Sequence, residues 1–113
     1  MSIWVELRDK TERVVRGLPD PSGGTFDAAG DFDRFIDHPP YDQVGPGLPV
    51  LRSIDPYDNT YMPSGVMARL IADIVTALPL AKDGPERRGL LRLRVLAETC
   101  SRLPESSLVW IGD

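Results

Sequence analysis

His38, with Asp37 before it and Asp42 shortly after, is the one imidazole in a chain of 113 residues. An imidazole oriented by a carboxylate is the base that activates a hydroxyl or thiol, and Ser64 or Cys100 would be the nucleophile it serves. The setting of each points to a plainer role. His38 precedes Pro39 and Pro40, so its backbone is held extended in a loop. Ser64 follows Pro63 at the entrance to a helical pattern, where serine caps backbone donors. Cys100 falls on the apolar seam of a second helical pattern, where a thiol packs as a small hydrophobe. A small enzyme or ligand-binding protein using His38 and the corner at residues 55–61 is therefore the alternative function, not the leading one.

Asp55, Asp58, Asn59 and Thr60 place oxygens in one tight turn, the donor type that a hard cation needs. Their spacing departs from the calcium-loop pattern D-x-[DN]-x-[DN]-G and lacks its distal Glu. A turn closed by side-chain to backbone hydrogen bonds accounts for them, and no metal is expected. The lone Cys100 and lone His38 leave out the usual zinc spacings and any intrachain disulfide. Ser22-Gly23-Gly24-Thr25 lacks the lysine and the strand-to-helix setting of a phosphate cradle, so no cofactor is expected either.

Charge says more about partners. The formal net charge is −4, but residues 19–61 alone carry eight aspartates against Arg34 and Arg52, a local balance of −6. That surface repels nucleic acid, whose phosphates demand clustered Lys and Arg. It attracts a basic protein. Asp31, Asp33, Asp37, Asp42 and Asp58, with the aromatic anchors Tyr41 and Tyr57, form the candidate binding set, because aromatic rings bury much area at low entropic cost. A solvated acidic loop that serves only solubility is the competing explanation. Trp4, Trp110 and Tyr61 are further anchors unless they pack within the fold.

The elements that hold these groups are those of one α+β domain spanning 1–113, with a Pro/Gly/Asp-rich loop region at about 18–47. Ile3, Val5 and Leu7 alternate with Trp4, Glu6 and Arg8, the period of a half-buried strand. Trp4 is out of phase with the apolar set, which implies either two covered faces or one exposed tryptophan. A turn at Asp9-Lys10 and a short strand at Val14-Val15 complete an expected hairpin. Within the loop region, residues 28–36 have the spacing of a short helix burying Phe32, Phe35 and Ile36.

Residues 48–54 have the apolar, β-branched content of a strand. Asp55-Pro56-Tyr57-Asp58-Asn59 then turns the chain, with Asp55 accepting from a donor two residues on. Pro63 suits a first helical turn with Ser64 as cap, and the helix carries Val66, Met67, Leu70, Ile71, Ile74, Val75 and Leu78 as its buried stripe, with Arg69, Asp73 and Thr76 opposite. A second helix starts at Pro85 and buries Leu90, Leu93, Leu96 or Ala97, Cys100 and Leu103, its seam widened by Leu91 and Val95. Arg87, Arg88, Arg92, Arg94 and Arg102 make it basic. A terminal apolar strand from Ser106 onward pairs into the sheet, beside the first strand.

The fold class expected is thus an antiparallel sheet of three to five strands with two long helices, from the C-terminal half, packed on one face. No apolar run reaches the roughly 20 residues of a membrane span, and the start of the chain lacks a signal-peptide pattern. A cytoplasmic location is expected.

The segment from Leu51 through Asp55-Pro56-Tyr57-Asp58-Asn59-Thr60, the helix with Met67-Ala68-Arg69-Leu70, the Leu-rich helix with Cys100 and the closing Leu108-Val109-Trp110-Ile111-Gly112-Asp113 resemble a group of uncharacterised small actinobacterial proteins. The resemblance covers roughly the C-terminal two-thirds and implies a fold without implying a mechanism. By analogy with other small acidic α+β proteins, it implies an immunity protein that neutralises a toxin. The leading expectation is a non-enzymatic domain binding a basic protein through its acidic loop surface, the immunity protein being its most concrete form. A third possibility is a self-associating structural module, a homodimer in which the basic second helix meets the acidic region of a twin.

Overall fold

The computed structural model describes residues 4–15, 48–55, 57–81 and 83–112. Their architecture is α+β: a three-stranded antiparallel sheet and two helices that pack on each other and on one face of the sheet. The strands are β1 (Trp4–Arg8), β2 (Thr60–Pro63) and β3 (Ser107–Ile111) in the spatial order β1-β3-β2, and the helices are α1 (Met67–Ala77) and α2 (Pro85–Arg102).

Alternation in β1 works as its sequence predicts. Val5 and Leu7 are fully buried while Glu6 and Arg8 are partly exposed. The register sets Val5 opposite Trp110 and Leu7 opposite Leu108. From the other side Thr60 meets Trp110 and Met62 meets Leu108. The apolar residues of that face join the helices' buried residues in one core. β3 is the central strand, paired on both edges, and is buried along Leu108, Val109 and Trp110. Its place beside β1 is the one its apolar sequence predicts.

The hairpin after β1 is slighter than expected. Val14 forms a bridge to Arg8, and Val15 N donates to Leu7 O at 2.8 Å, but among the described residues no second strand follows. The turn itself is built by Asp9. Its Oδ1 accepts from Thr11 Oγ1 at 2.6 Å, Thr11 N at 2.8 Å and Arg13 N at 3.1 Å. These donors, the threonine hydroxyl foremost, hold the Asp9 carboxyl below its usual pKa.

Residues 48–54 are a correction. They form no strand but a turn with a 3-10 helix at Leu51–Ser53, closed by Arg52 N donating to Leu48 O at 2.8 Å. Leu48, Leu51 and Ile54 are buried at a spacing of three, with Val50 buried as well and Pro49, Arg52 and Ser53 exposed. A three-residue period of burial is what a 3-10 turn presents to a core.

Pro63 is likewise a strand residue, opposite Ser107, and not the first turn of a helix. Its missing N–H is tolerated because β2 is an edge strand. A short 3-10 helix (Ser64–Val66) leads into α1, and Ser64 makes no side-chain cap. In α1 the buried face is Met67, Leu70, Asp73, Ile74 and Ala77. That face is rotated from the expected stripe, leaving Val75 48 % exposed and bringing Asp73 inward.

Gly84 enters α2 at φ 100°, in the left-handed region that glycine adopts without a Cβ penalty. Pro85 follows in the first turn, as expected. Arg87 Nη1 donates to Leu78 O at 3.0 Å, placing a cation at a carbonyl just past α1. The α2 seam is Leu90, Leu93, Leu96, Ala97 and Cys100, all buried, with Leu103 partly so. Leu91 and Val95 do not widen it: they are 43 % and 45 % exposed. The short helix expected at 28–36 lies outside the described residues, and no described helix is long and apolar enough to cross a membrane.

Candidate functional site

The sequence-predicted site residues divide sharply. Asp31, Asp33, Asp37, His38, Tyr41 and Asp42 lie outside the described residues. Tyr57 and Asp58 are described and sit together on the exposed corner between the 48–54 turn and β2.

The corner is a self-contained hydrogen-bonded turn. Asp55 Oδ1 accepts from Tyr57 N at 2.8 Å, the two-residue spacing that its sequence predicts, and Asp55 N donates to Thr60 Oγ1 at 3.1 Å. Asp58 Oδ1 accepts from Asn59 N at 2.7 Å. Across the sheet, Gly112 N donates to Asp58 O at 3.2 Å, tying the corner to the end of β3. The carboxylates thus hold their own loop. On this frame Tyr57 is 71 % exposed and Tyr61 60 % exposed, the largest exposures among the described large hydrophobic residues.

Beside the corner lies an open cleft of about 310 Å³. Val50, Met62 and Val66 give it apolar walls, and Ser53, Tyr61 and Arg69 give it polar ones. Ser53 Oγ is already committed, donating to Val50 O at 2.6 Å. The Arg69 guanidinium makes no hydrogen bond or ion pair among the described residues.

One residue central to this region was misplaced by its sequence. Asp73, expected on the outer side of α1 with Arg69 and Thr76, is only 6 % exposed. Its Oδ2 accepts from Val50 N at 2.7 Å and Leu51 N at 3.0 Å, pinning the 48–54 turn to α1. Burial pushes its carboxyl pKa up from the ordinary value, and the two amide donors oppose that shift. The readable signal was position: Asp73 lies three residues after Leu70 and four before Ala77, within the span of the apolar face. Asp73 is a structural carboxylate that fixes the wall of the cleft, and it is too enclosed to meet a partner.

Cys100 is buried, as its place on the seam predicts. Ser106 Oγ donates to Leu103 O at 2.7 Å, with Cys100 O at 2.9 Å and Cys100 Sγ at 3.4 Å as its other acceptors. Burial raises the thiol pKa, so little nucleophilic thiolate forms near neutrality. The native protein is therefore expected to leave a disulfide reagent such as DTNB unreacted over the time in which denatured protein releases one equivalent of thiolate per chain. Rapid stoichiometric release from the folded protein would contradict the burial of Cys100.

Ser64 is half-buried and opens the short 3-10 helix without capping it. Asp55, Asp58 and Thr60 spend oxygens within the turn, and among the described residues no group of three metal-ligating side chains converges. The class these features define is a small α+β domain with an ordered, aromatic and acidic corner. No protein-family model, curated protein or solved structure matches the chain.

Proposed function

We propose that the chain is a non-enzymatic protein-binding domain that takes a basic partner on its acid-rich stretch, residues 19–61, which includes the 55–61 corner. The observation that carries this reading is the pair of exposed tyrosines, Tyr57 and Tyr61, beside Asp55 and Asp58 on a turn held by its own hydrogen bonds. A pre-ordered aromatic corner loses little entropy on docking, and the surrounding carboxylates select a cationic surface. The most concrete form is an immunity protein that neutralises a basic toxin, in line with the resemblance to small actinobacterial proteins. Location in the cytoplasm belongs to the same proposal.

The test is co-expression with the product of an adjoining reading frame, followed by calorimetry on the purified pair. Tyr57→Ala with Asp58→Asn is expected to weaken binding about 10- to 100-fold, the range of a lost interface anchor. Asn at 58 keeps an oxygen for Asn59 N and removes only the charge. Changing Asp31, Asp33, Asp37 and Asp42 to Asn should weaken it further, and raising salt should do the same to the wild type. Affinity indifferent to salt and to these substitutions would sink the proposal.

A second reading, small-ligand binding, is favoured by the cleft beside Arg69. Its volume reaches the lower end of ligand pockets, roughly 300 Å³, and its available guanidinium would orient a carboxylate. Thermal shifts by small aliphatic carboxylates, lost in Arg69→Gln, would support it; equal shifts in both proteins would remove it.

A further inference from the structure

Helix α2 shows solvent a face that the core does not explain. Leu91 and Val95 are one turn apart, and at 100° per residue both lie nearly opposite the Leu93, Ala97 and Cys100 seam. They are 43 % and 45 % exposed. Arg88 precedes them, Arg92 stands between them in the chain, and Arg102 follows near the helix end.

The five arginines of α2 are not equivalent. Arg87 donates to the Leu78 carbonyl, and Arg94 pairs with Glu98 at 3.0 Å. The guanidinium groups of Arg88, Arg92 and Arg102 have no hydrogen-bond or ion-pair partner among the described residues. Two exposed aliphatic side chains set among unpaired guanidinium groups need a cover that is both acidic and partly apolar.

This chain carries such a cover. Residues 19–61 balance at −6, and the same stretch includes Phe26, Phe32, Phe35 and Ile36. We propose that the outward face of α2, centred on Leu91 and Val95, docks the acid-rich stretch of a second copy of this chain. Each copy supplies one basic helix face and one acidic stretch, so two identical contacts related by a twofold axis close a dimer. The inference stands apart from the basic-partner reading, since α2 has no part in that contact. The two share only the acidic surface, for which a basic partner would compete with the twin.

Charge-swapped variants test it by sedimentation velocity. Wild type is expected to be dimeric at about 50 mM salt and to dissociate at about 500 mM. Arg88→Glu/Arg92→Glu should be monomeric alone at low salt, because glutamates then face aspartates. Asp31→Lys/Asp33→Lys should be monomeric alone for the mirror reason. An equimolar mixture of the two should recover the dimer, since each of its contacts again joins opposite charges. A second variant, Leu91→Ser/Val95→Ser, should weaken the dimer at unchanged charge, and circular dichroism on each variant checks that it is folded. A wild type that is monomeric at low salt, which is also the result if the acidic stretch covers α2 within one copy, overturns the proposal. So does a mixture of folded variants that stays monomeric, or a folded Leu91→Ser/Val95→Ser protein that dimerises like wild type.

Discussion

Trp110→Ala is expected to cost about 3–5 kcal/mol of unfolding free energy, the largest effect of any single truncation considered for this chain. Trp110 lies in the central strand with no exposed surface, and its cross-strand neighbours are Val5 on β1 and Thr60 on β2. Its indole Nε1 donates to Met62 Sδ at 3.3 Å, so the ring is oriented as well as enclosed. Alanine would leave a cavity touching both strand pairs and the core below them, and close-packed surroundings collapse into such a space only in part. At roughly 4–8 °C per kcal/mol for a domain near this size, the midpoint of thermal unfolding should drop by more than about 12 °C.

Trp110→Phe separates the two contributions. It keeps most of the apolar volume and removes the N–H donor, so its cost should be well below that of alanine. Thermal and urea unfolding followed by far-ultraviolet circular dichroism measure both variants without relying on the deleted chromophore. An alanine variant within about 1 kcal/mol of wild type would mean that Trp110 is not packed as its burial indicates.

Where hydrophobic period and local turn chemistry agreed, the fold was legible from residues alone. Val5 and Leu7 against Glu6 and Arg8 defined β1, and Pro85 with the Leu90, Leu93 and Cys100 spacing defined α2. The 55–59 turn was readable because its hydrogen bonds are local: Asp55 reaches Tyr57 without help from the rest of the chain. The 48–54 segment was not. Its apolar and β-branched content suits a strand or a 3-10 turn equally, and the choice is made by Asp73, more than 20 residues away, which takes the amide protons of Val50 and Leu51. Leu91 and Val95 were read into the α2 seam because apolar residues are expected inside, although the helical period places them outside. Of the candidate binding set, only Tyr57 and Asp58 fall among the described residues, and what their sequence made legible is the turn that carries them. Asp73, which holds the neighbouring wall, was hidden by the expectation that an aspartate faces water.

Asp73 also carries the second large effect. Asp73→Ala is expected to cost about 2–4 kcal/mol, because each buried donor left without an acceptor costs about 1–3 kcal/mol and release of the carboxylate's own desolvation returns part of the loss. Val50 and Leu51 are too buried for water to replace the lost oxygen, at 9 % and 0 % exposure. Asp73→Asn should cost much less, since its amide oxygen can accept from the same two donors. The ordering wild type, Asn, Ala in unfolding midpoint is the first check; Ala equal to Asn would mean that the two hydrogen bonds do not hold the turn. The second check is pH. Because burial raises the Asp73 pKa above its ordinary value near 3.8, the folded chain binds more protons than the unfolded chain in the window just above that value. Wild-type stability relative to Asp73→Asn should therefore be greatest at and below that value, fall as pH rises through the window, and become constant once the folded carboxyl has ionised. A difference that instead grew with pH would show the amide donors outweighing burial and the carboxyl pKa lowered by folding. That slope decides whether the turn at 48–54 is held by an ionic acceptor at net electrostatic advantage, or by an acceptor kept despite the cost of enclosing its charge.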